Sequence, residues 1–194
     1  MVVARTQNSV LVVPACATEG RRIGEVRMRR LLVPLDCSPR AECILPLAIA
    51  LSRAHDAEII LAHVVPEPEM PRRLPPSGED LAVAFTLTER NRVEAERYLG
   101  ELRDRLVEQR LRIGTRIVVS SQRAQAIRAM ADETDIDLVM VTAHGKTGDA
   151  RERYGSVAVR LLEQSRRPIL VLQDLGAGRE PTPDEEAARS RPGH

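Results

Sequence analysis

The chain of 194 residues has almost no aromatic side chains, with no tryptophan, one phenylalanine and two tyrosines. Proteins that bind single-stranded nucleic acid stack bases on aromatic rings, so this composition argues against that class. The formal net charge is only +1, which gives no broad attraction for nucleic acid or for an anionic membrane surface. The core must therefore be built from aliphatic residues, chiefly Leu, Val, Ile and Ala.

Cysteine is also scarce, and the three cysteines form no CxxC pair. An odd number in such a chain favours reduced thiols and a cytoplasmic location over a disulfide framework. The spacing of Cys37 and Cys43 matches no common zinc-ligand pattern. No apolar run approaches the ~20 residues that a membrane-spanning helix needs. Residues 10–17 resemble a short signal-peptide core, but only Arg5 supplies positive charge before them, so the secretory interpretation is the weaker one.

What the chain does contain is a regular alternation of apolar runs and amphipathic stretches. Buried parallel strands are predicted where the composition is aliphatic without alternation, at residues 30–36, 58–65, 115–120, 137–142 and 168–173. Apolar residues at helical spacing predict helices over residues 39–54, 80–112, 122–134 and 156–166. This succession predicts an α/β fold with a single open five-stranded parallel sheet, strand order 3-2-1-4-5 and helices on both faces.

The predicted domain covers residues 29–175, preceded by an extension at 1–28 and followed by a disordered tail at 176–194. Within the extension, residues 9–13 have strand composition and resemble the last predicted strand at 168–173. Two short apolar runs can match by chance. Alternatively, the segment is an added strand or the vestige of a preceding domain's last strand.

The candidate ligand site lies in residues 137–173, which read as strand, glycine loop, helix and strand. In an open parallel sheet, ligands bind beyond the carboxyl ends of the strands where the strand order reverses, here between the first and fourth strands. Asp36 follows the first of these strands, and the loop 143–155 follows the fourth. Gly145 and Gly148 in this loop permit backbone conformations that bring N–H groups close to a phosphate.

The residues after the loop also favour a nucleotide. Gly155, Ser156 and Val157 begin a helix, whose first N–H groups and dipole attract an anion. The Ser156 hydroxyl would bind phosphate or a metal-bound water, Lys146 would supply a positive charge, and Asp36 would accept from a ribose hydroxyl or hold Mg²⁺. The plainer alternative is that the glycines are turn and helix-start residues and that Asp36 is a capping carboxylate.

Over about residues 28–174 the chain resembles the universal stress protein family. The resemblance is carried, in this order, by LLVPLDCS at 31–38, ILAHVV at 60–65, DLVMVTAHGKTG at 137–148 and GSVAVRLLEQSRRPILVL at 155–172. It implies a Rossmann-like nucleotide-binding fold, stress-related regulation rather than turnover, and a homodimer paired through the last strand at 168–173.

Family members that bind ATP resemble G-x2-G-x9-G-[S/T] across the glycine loop. This chain has both ends of the motif but only six residues, 149–154, in place of the nine, and Cys37 stands where the family often has glycine. The resemblance implies ATP with Mg²⁺ as the ligand, the magnesium held through water by Asp36 or Ser156. The residues it assigns to the nucleotide are Asp36, Val64, Gly145, Lys146, Gly148, Gly155, Ser156 and Val157; Val64 is otherwise a core residue.

Three functions remain open from the sequence. The first is a stress-response protein that binds ATP or another adenine nucleotide and signals by conformation or partner choice. The second is a dimeric interaction protein that binds no nucleotide, which the shortened loop favours. The third, an enzyme that activates substrates with ATP, lacks a second substrate domain and an evident catalytic set, because His144 has no nominated nucleophile or orienting partner. We therefore predict that the protein is not an enzyme.

Overall fold

The computed structural model describes residues 8–14, 27–68, 75–145 and 154–173. The strands are β1 (Val10–Val12), β2 (Arg30–Pro34), β3 (Glu58–Val65), β4 (Ile113–Val119), β5 (Leu138–Thr142) and β6 (Ile169–Leu172). The helices are α1 (Pro39–Glu42), α2 (Leu45–His55), α3 (Gly78–Val107), α4 (Arg123–Glu133) and α5 (Ser156–Gln164). The tail predicted at 176–194 lies outside the described residues.

The strands form one sheet in the order β1-β6-β5-β2-β3-β4. Strands β2 to β6 are parallel, and their order corresponds to the predicted 3-2-1-4-5 arrangement. The α/β class and the strand reversal, which falls between β2 and β5, are thereby confirmed. The predicted number of five strands is wrong, because β1 adds a sixth strand, antiparallel, at the outer edge of β6.

Both faces of the sheet are covered, which explains why its strands are aliphatic throughout. Helices α4 and α5 cover one face, through a core layer that includes Ile127, Met130, Ala158 and Leu161. Helices α1, α2 and α3 cover the other, through a layer that includes Ile44, Ala48, Leu99, Leu102 and Leu106. Successive residues of β2 enter opposite layers, since side chains alternate along a strand.

The helix predicted over residues 39–54 is interrupted. Ser38 caps α1, its Oγ accepting from the backbone N–H of Ala41 at 3.2 Å, but α1 ends after one turn. Pro46 then lies in the first turn of α2. A proline ring clashes with the carbonyl four residues earlier and provides no N–H, so a continuous helix would be broken here. Cys43 and Ile44, between α1 and α2, keep helical dihedral angles, and their N–H groups donate to the carbonyls three residues earlier, so the interruption is a tightened turn.

Only the C-terminal half of α3 belongs to the core. Its buried residues are Ala95, Leu99, Leu102 and Leu106. Leu81 and Phe85 lie on the same helical stripe, yet they are 54% and 69% exposed. The first half of α3 therefore extends along the surface. Neither α3 nor any other helix within the described ranges is apolar over a bilayer-spanning length.

The N-terminal strand β1 closes the edge of the sheet. Val10 stands opposite Val171, Leu11 opposite Leu170, and Val12 opposite Ile169. Beyond these pairs, the backbone N–H of Gln173 donates to the Ser9 hydroxyl at 3.2 Å. The homodimer contact predicted through residues 168–173 would use this same edge of β6.

Candidate functional site

The loops that follow β2 and β5 meet at Asp36 and Gly145. Asp36 Oδ1 accepts two hydrogen bonds from Ser38, from its backbone N–H at 3.1 Å and from its hydroxyl at 2.6 Å. The Oδ2 oxygen lies against Gly145, where an added Cβ would overlap that oxygen and stand 3.2 Å from Cγ. Glycine at 145 therefore admits the carboxylate of Asp36, and the two predicted site residues are direct neighbours.

The start of α5 is attached to the end of β5. The backbone N–H of Gly155 donates to the carbonyl of Ala143 at 2.7 Å. Gly155 is the N-cap of α5, and no side chain caps the helix within the described part of the chain. The first N–H groups of α5 remain available to an anion, and the helix dipole favours one there.

A cavity of about 350 Å³ opens beside the start of α5. It lies beyond the carboxyl end of β3, between the first turns of α4 and α5. Its lining residues are Pro66, Glu67, Ser121, Arg123, Ala124, Ser156, Val157 and Arg160. The volume falls within the range of small-molecule sites, ~300–1,000 Å³. Like α5, α4 begins without a side-chain cap at its N-cap residue Gln122.

Two arginines at this cavity were missed by the sequence analysis. Arg123 is the first residue of α4, and Arg160 lies on α5 one turn after Ser156. A cation in the first turn of a helix opposes the helix dipole, so the position of Arg123 is unfavourable in the absence of an anion. That conflict is visible in the sequence once both helices are placed, and it would have indicated an anion site.

Of the predicted nucleotide residues, Asp36 contacts Gly145, Gly155 is hydrogen-bonded to the end of β5, and Ser156 and Val157 line the cavity. Val64 is 8% exposed and lies in the core layer beneath α4 and α5. Lys146 and Gly148 lie outside the described residues, as do residues 149–153. Tyr154, the last residue of the shortened loop, is buried in the same core layer as Val64.

Two histidines, His63 and His144, lie near the site. The half-buried His63 donates from Nδ1 to the Leu35 carbonyl at 2.7 Å. The Sγ of Cys37 lies 3.5 Å from the same nitrogen. Within the described ranges, no cluster of three or more His, Cys, Asp or Glu residues is arranged to hold a metal ion.

Comparison with known proteins assigns the chain to a family, since a sequence model of the Universal stress protein family matches residues 28–173. The chain belongs to the universal stress protein family. The universal stress protein MJ0577 of Methanocaldococcus jannaschii is 27% identical over 157 residues, covering 76% of this chain and 96% of the relative. The matched region begins after β1, so β1 lies outside the part of this universal stress protein that the family model matches.

Solved structures of universal stress proteins share the fold. UspA from Lactobacillus plantarum has a TM-score of 0.66 at 19% identity, covering 76% of this chain and 99% of that one. A universal stress protein from Archaeoglobus fulgidus in complex with dAMP has a TM-score of 0.53 at 18% identity, with the same coverage of 76% and 99%. At these identities the likeness establishes the fold.

Proposed function

We propose that this universal stress protein binds an adenine nucleotide in the crevice between β2 and β5. It then acts as a regulatory binding protein in the cytoplasm. The observation that carries the proposal is the uncapped start of α5, which opens into the cavity between Arg123 and Arg160. A polyphosphate bound there would accept from the first N–H groups of α5 and pair with the guanidinium groups of Arg123 and Arg160.

The proposed nucleotide would span two regions of the site. Its phosphates would lie at Gly155, Ser156 and Val157, with Lys146 and Gly148 contributing from the loop. Its nucleoside end would lie towards Val64, Asp36 and Gly145. The fold-sharing protein from Archaeoglobus fulgidus binds an adenine nucleotide, dAMP, which supports adenine as the base. ATP with Mg²⁺ is the proposed ligand, with the magnesium bound through water to Asp36 or Ser156.

Titration calorimetry with ATP and Mg²⁺ tests this proposal. We expect saturable binding that weakens at least tenfold in Arg123→Ala/Arg160→Ala. The matched control is Arg90→Ala/Arg97→Ala, which removes two exposed arginines of α3, far from the cavity. This control should leave the affinity unchanged. Absence of binding heat at millimolar ATP would overturn the proposal, and so would equal weakening in both double variants.

Two substitutions of Gly155, at the start of α5, distinguish an effect on nucleotide binding from an effect on folding. An added Cβ at Gly155 would stand 3.4 Å from the carbonyl oxygen of Ala143, an ordinary contact, so Gly155→Ala should fold normally. The larger Gly155→Val should reduce ATP affinity, because its methyl groups would occupy space beside the phosphates. Unchanged affinity in Gly155→Val would place the phosphates elsewhere.

A second candidate function is a nucleotide-independent interaction protein. The shortened loop favours it, because six residues replace nine and the last of them, Tyr154, is buried in the core. Mass analysis of small molecules released from freshly purified protein discriminates the two functions. Released adenine nucleotide supports the first function, whereas protein without nucleotide that also shows no binding heat supports the second. Sustained ATP hydrolysis that disappears in Ser156→Ala would instead indicate an enzyme.

A further inference from the structure

We propose that β1 occupies, within its own chain, the place of β6 from a second copy of this protein. While β1 is docked, the edge of the sheet is closed. When β1 is released, β6 pairs antiparallel with β6 of a second copy. This inference concerns assembly and is independent of the nucleotide site.

The edge of β6 needs a cover. An edge strand presents unpaired N–H and C=O groups, which bind another strand readily. Here the cover is only three residues long, β1 Val10–Val12, and its central residue Leu11 is 52% exposed. Three residue pairs and the Gln173–Ser9 hydrogen bond hold it in place. Such a short strand is easily displaced by a competitor of similar sequence.

The competitor that fits best is β6 itself. The sequence of β1 is Val-Leu-Val, and β6 begins Ile-Leu-Val at residues 169–171. A two-fold pairing of β6 with a second copy, centred on Leu170, would place Leu170 opposite its counterpart and Ile169 opposite Val171 of the other copy. In the structure, β1 pairs Leu11 with Leu170 and Val12 with Ile169.

β1 therefore matches β6 of a second copy in register and strand direction as well as in composition. At each position β1 supplies the same kind of side chain that a second β6 would supply, β-branched at both ends and leucine in the middle. Side chains directly opposite one another in an antiparallel pair share a face of the sheet, so the packing would be retained. β1 lies outside the family match at 28–173.

Substitutions in the full-length chain that displace β1 test this inference by light scattering across a concentration series. The unaltered protein should have the monomer mass of 21.5 kDa. Val10→Asp/Val12→Asp places charge on the half-buried side of β1 and should double the mass. Leu11→Asp, on the exposed side, is the matched control and should remain monomeric. Equal mass in the unaltered and doubly substituted proteins, or a smaller mass after substitution, would overturn the inference.

Charge at Leu170 shows whether the dimer uses β6. In the Val10→Asp/Val12→Asp background, Leu170→Lys and Leu170→Glu should each return the protein to a monomer, because like charges would be opposite one another on the two-fold axis. Mixing the two variants should restore a dimer that contains one copy of each. Circular dichroism would verify that both are folded. A dimer that persists in each variant alone, or no dimer on mixing the folded variants, would contradict pairing through β6.

Discussion

The carboxylate of Asp36 fills the space that a side chain at residue 145 would require. Asp36 and Gly145 belong to loops that follow two neighbouring parallel strands, β2 and β5. Their contact links the two sides of the crevice at the strand reversal. The conformation of the loop after β5 therefore depends on the residue at position 36, and the conformation of the loop after β2 depends on the residue at position 145.

The first prediction concerns this dependence. Gly145→Ala should lower the free energy of unfolding by about 1–3 kcal/mol, the usual effect of inserting atoms into a filled space. In an Asp36→Ala background, Gly145→Ala should lower the free energy of unfolding far less, because the Asp36 Oδ2 oxygen that the new methyl group would overlap is absent. Urea unfolding of the four proteins in this double-mutant cycle gives the coupling energy. Gly155→Ala is the control with little expected effect, and equal costs of Gly145→Ala in both backgrounds would refute the contact.

The second prediction concerns Cys37, whose φ of 61° lies in the left-handed region. This conformation costs a non-glycine residue roughly 1–2 kcal/mol, and glycine recovers part of that after its larger loss of backbone entropy. Cys37→Gly should thus raise the free energy of unfolding by about 0.5–1 kcal/mol. Cys43→Gly is the matched control, because Cys43 has an ordinary φ of −58°. Glycine at this position should lower the stability of the protein through its larger loss of backbone entropy. Denaturant unfolding should show opposite signs for the two variants.

The third prediction concerns pH. Burial raises the pKa of Tyr98 well above its usual value, and the hydrogen bond to Glu42 Oε1 at 2.8 Å and the charge of that carboxylate raise it further. The folded state thus favours the neutral phenol. This stabilisation is fully present below the unfolded pKa of ~10 and is lost as pH rises above it. Unfolding free energies from pH 8 to 11 should fall more steeply for the unaltered protein than for Tyr98→Phe, and parallel curves would contradict the assignment.

The fourth prediction concerns the exposed half of α3. Ser77 and Asp80 form a capping box, in which Ser77 Oγ accepts from the Asp80 N–H at 3.1 Å and Asp80 Oδ2 accepts from the Ser77 N–H at 2.9 Å. No residue of α3 before Ala95 is buried, so the cap carries much of the stability of this half. Hydrogen exchange should accelerate in Ser77→Ala over residues 78–93 and remain slow around Leu99 and Leu102. Uniform acceleration along the helix would indicate global destabilisation instead.

Much of the fold follows from the sequence because buried parallel strands are aliphatic on both faces. This composition located β2 to β6, and the alternation with helices indicated their order. Leu81 and Phe85 mislead by the same reasoning, since helical spacing identifies an apolar stripe but not the length of sheet available to cover it. Strand β1 stayed undecided because three apolar residues have no distinctive periodicity, and only their partner β6 makes them a strand.

The parts of the site that the strand order positions could be predicted from the sequence. The parts that depend on how the helices pack against each other could not. Neighbouring loops at a strand reversal bring Asp36 and Gly145 together, and the start of α5 follows from Gly155 and Ser156. The cavity required the relative placement of α4 and α5, so Arg123 and Arg160 were missed. Whether a nucleotide binds there remains a prediction for calorimetry to test.

The pairing of β1 with β6 also has a consequence for the order of events during synthesis. Val10 and Val171 are separated by 161 positions (171 − 10) in the chain. Chains grow at ~5–20 residues per second, so β1 is synthesised roughly 10–30 s before its partner strand. β1 is therefore made well before β6 and pairs with it only after β6 has been made. Until β1 has paired, the edge of β6 is open to a strand of another chain.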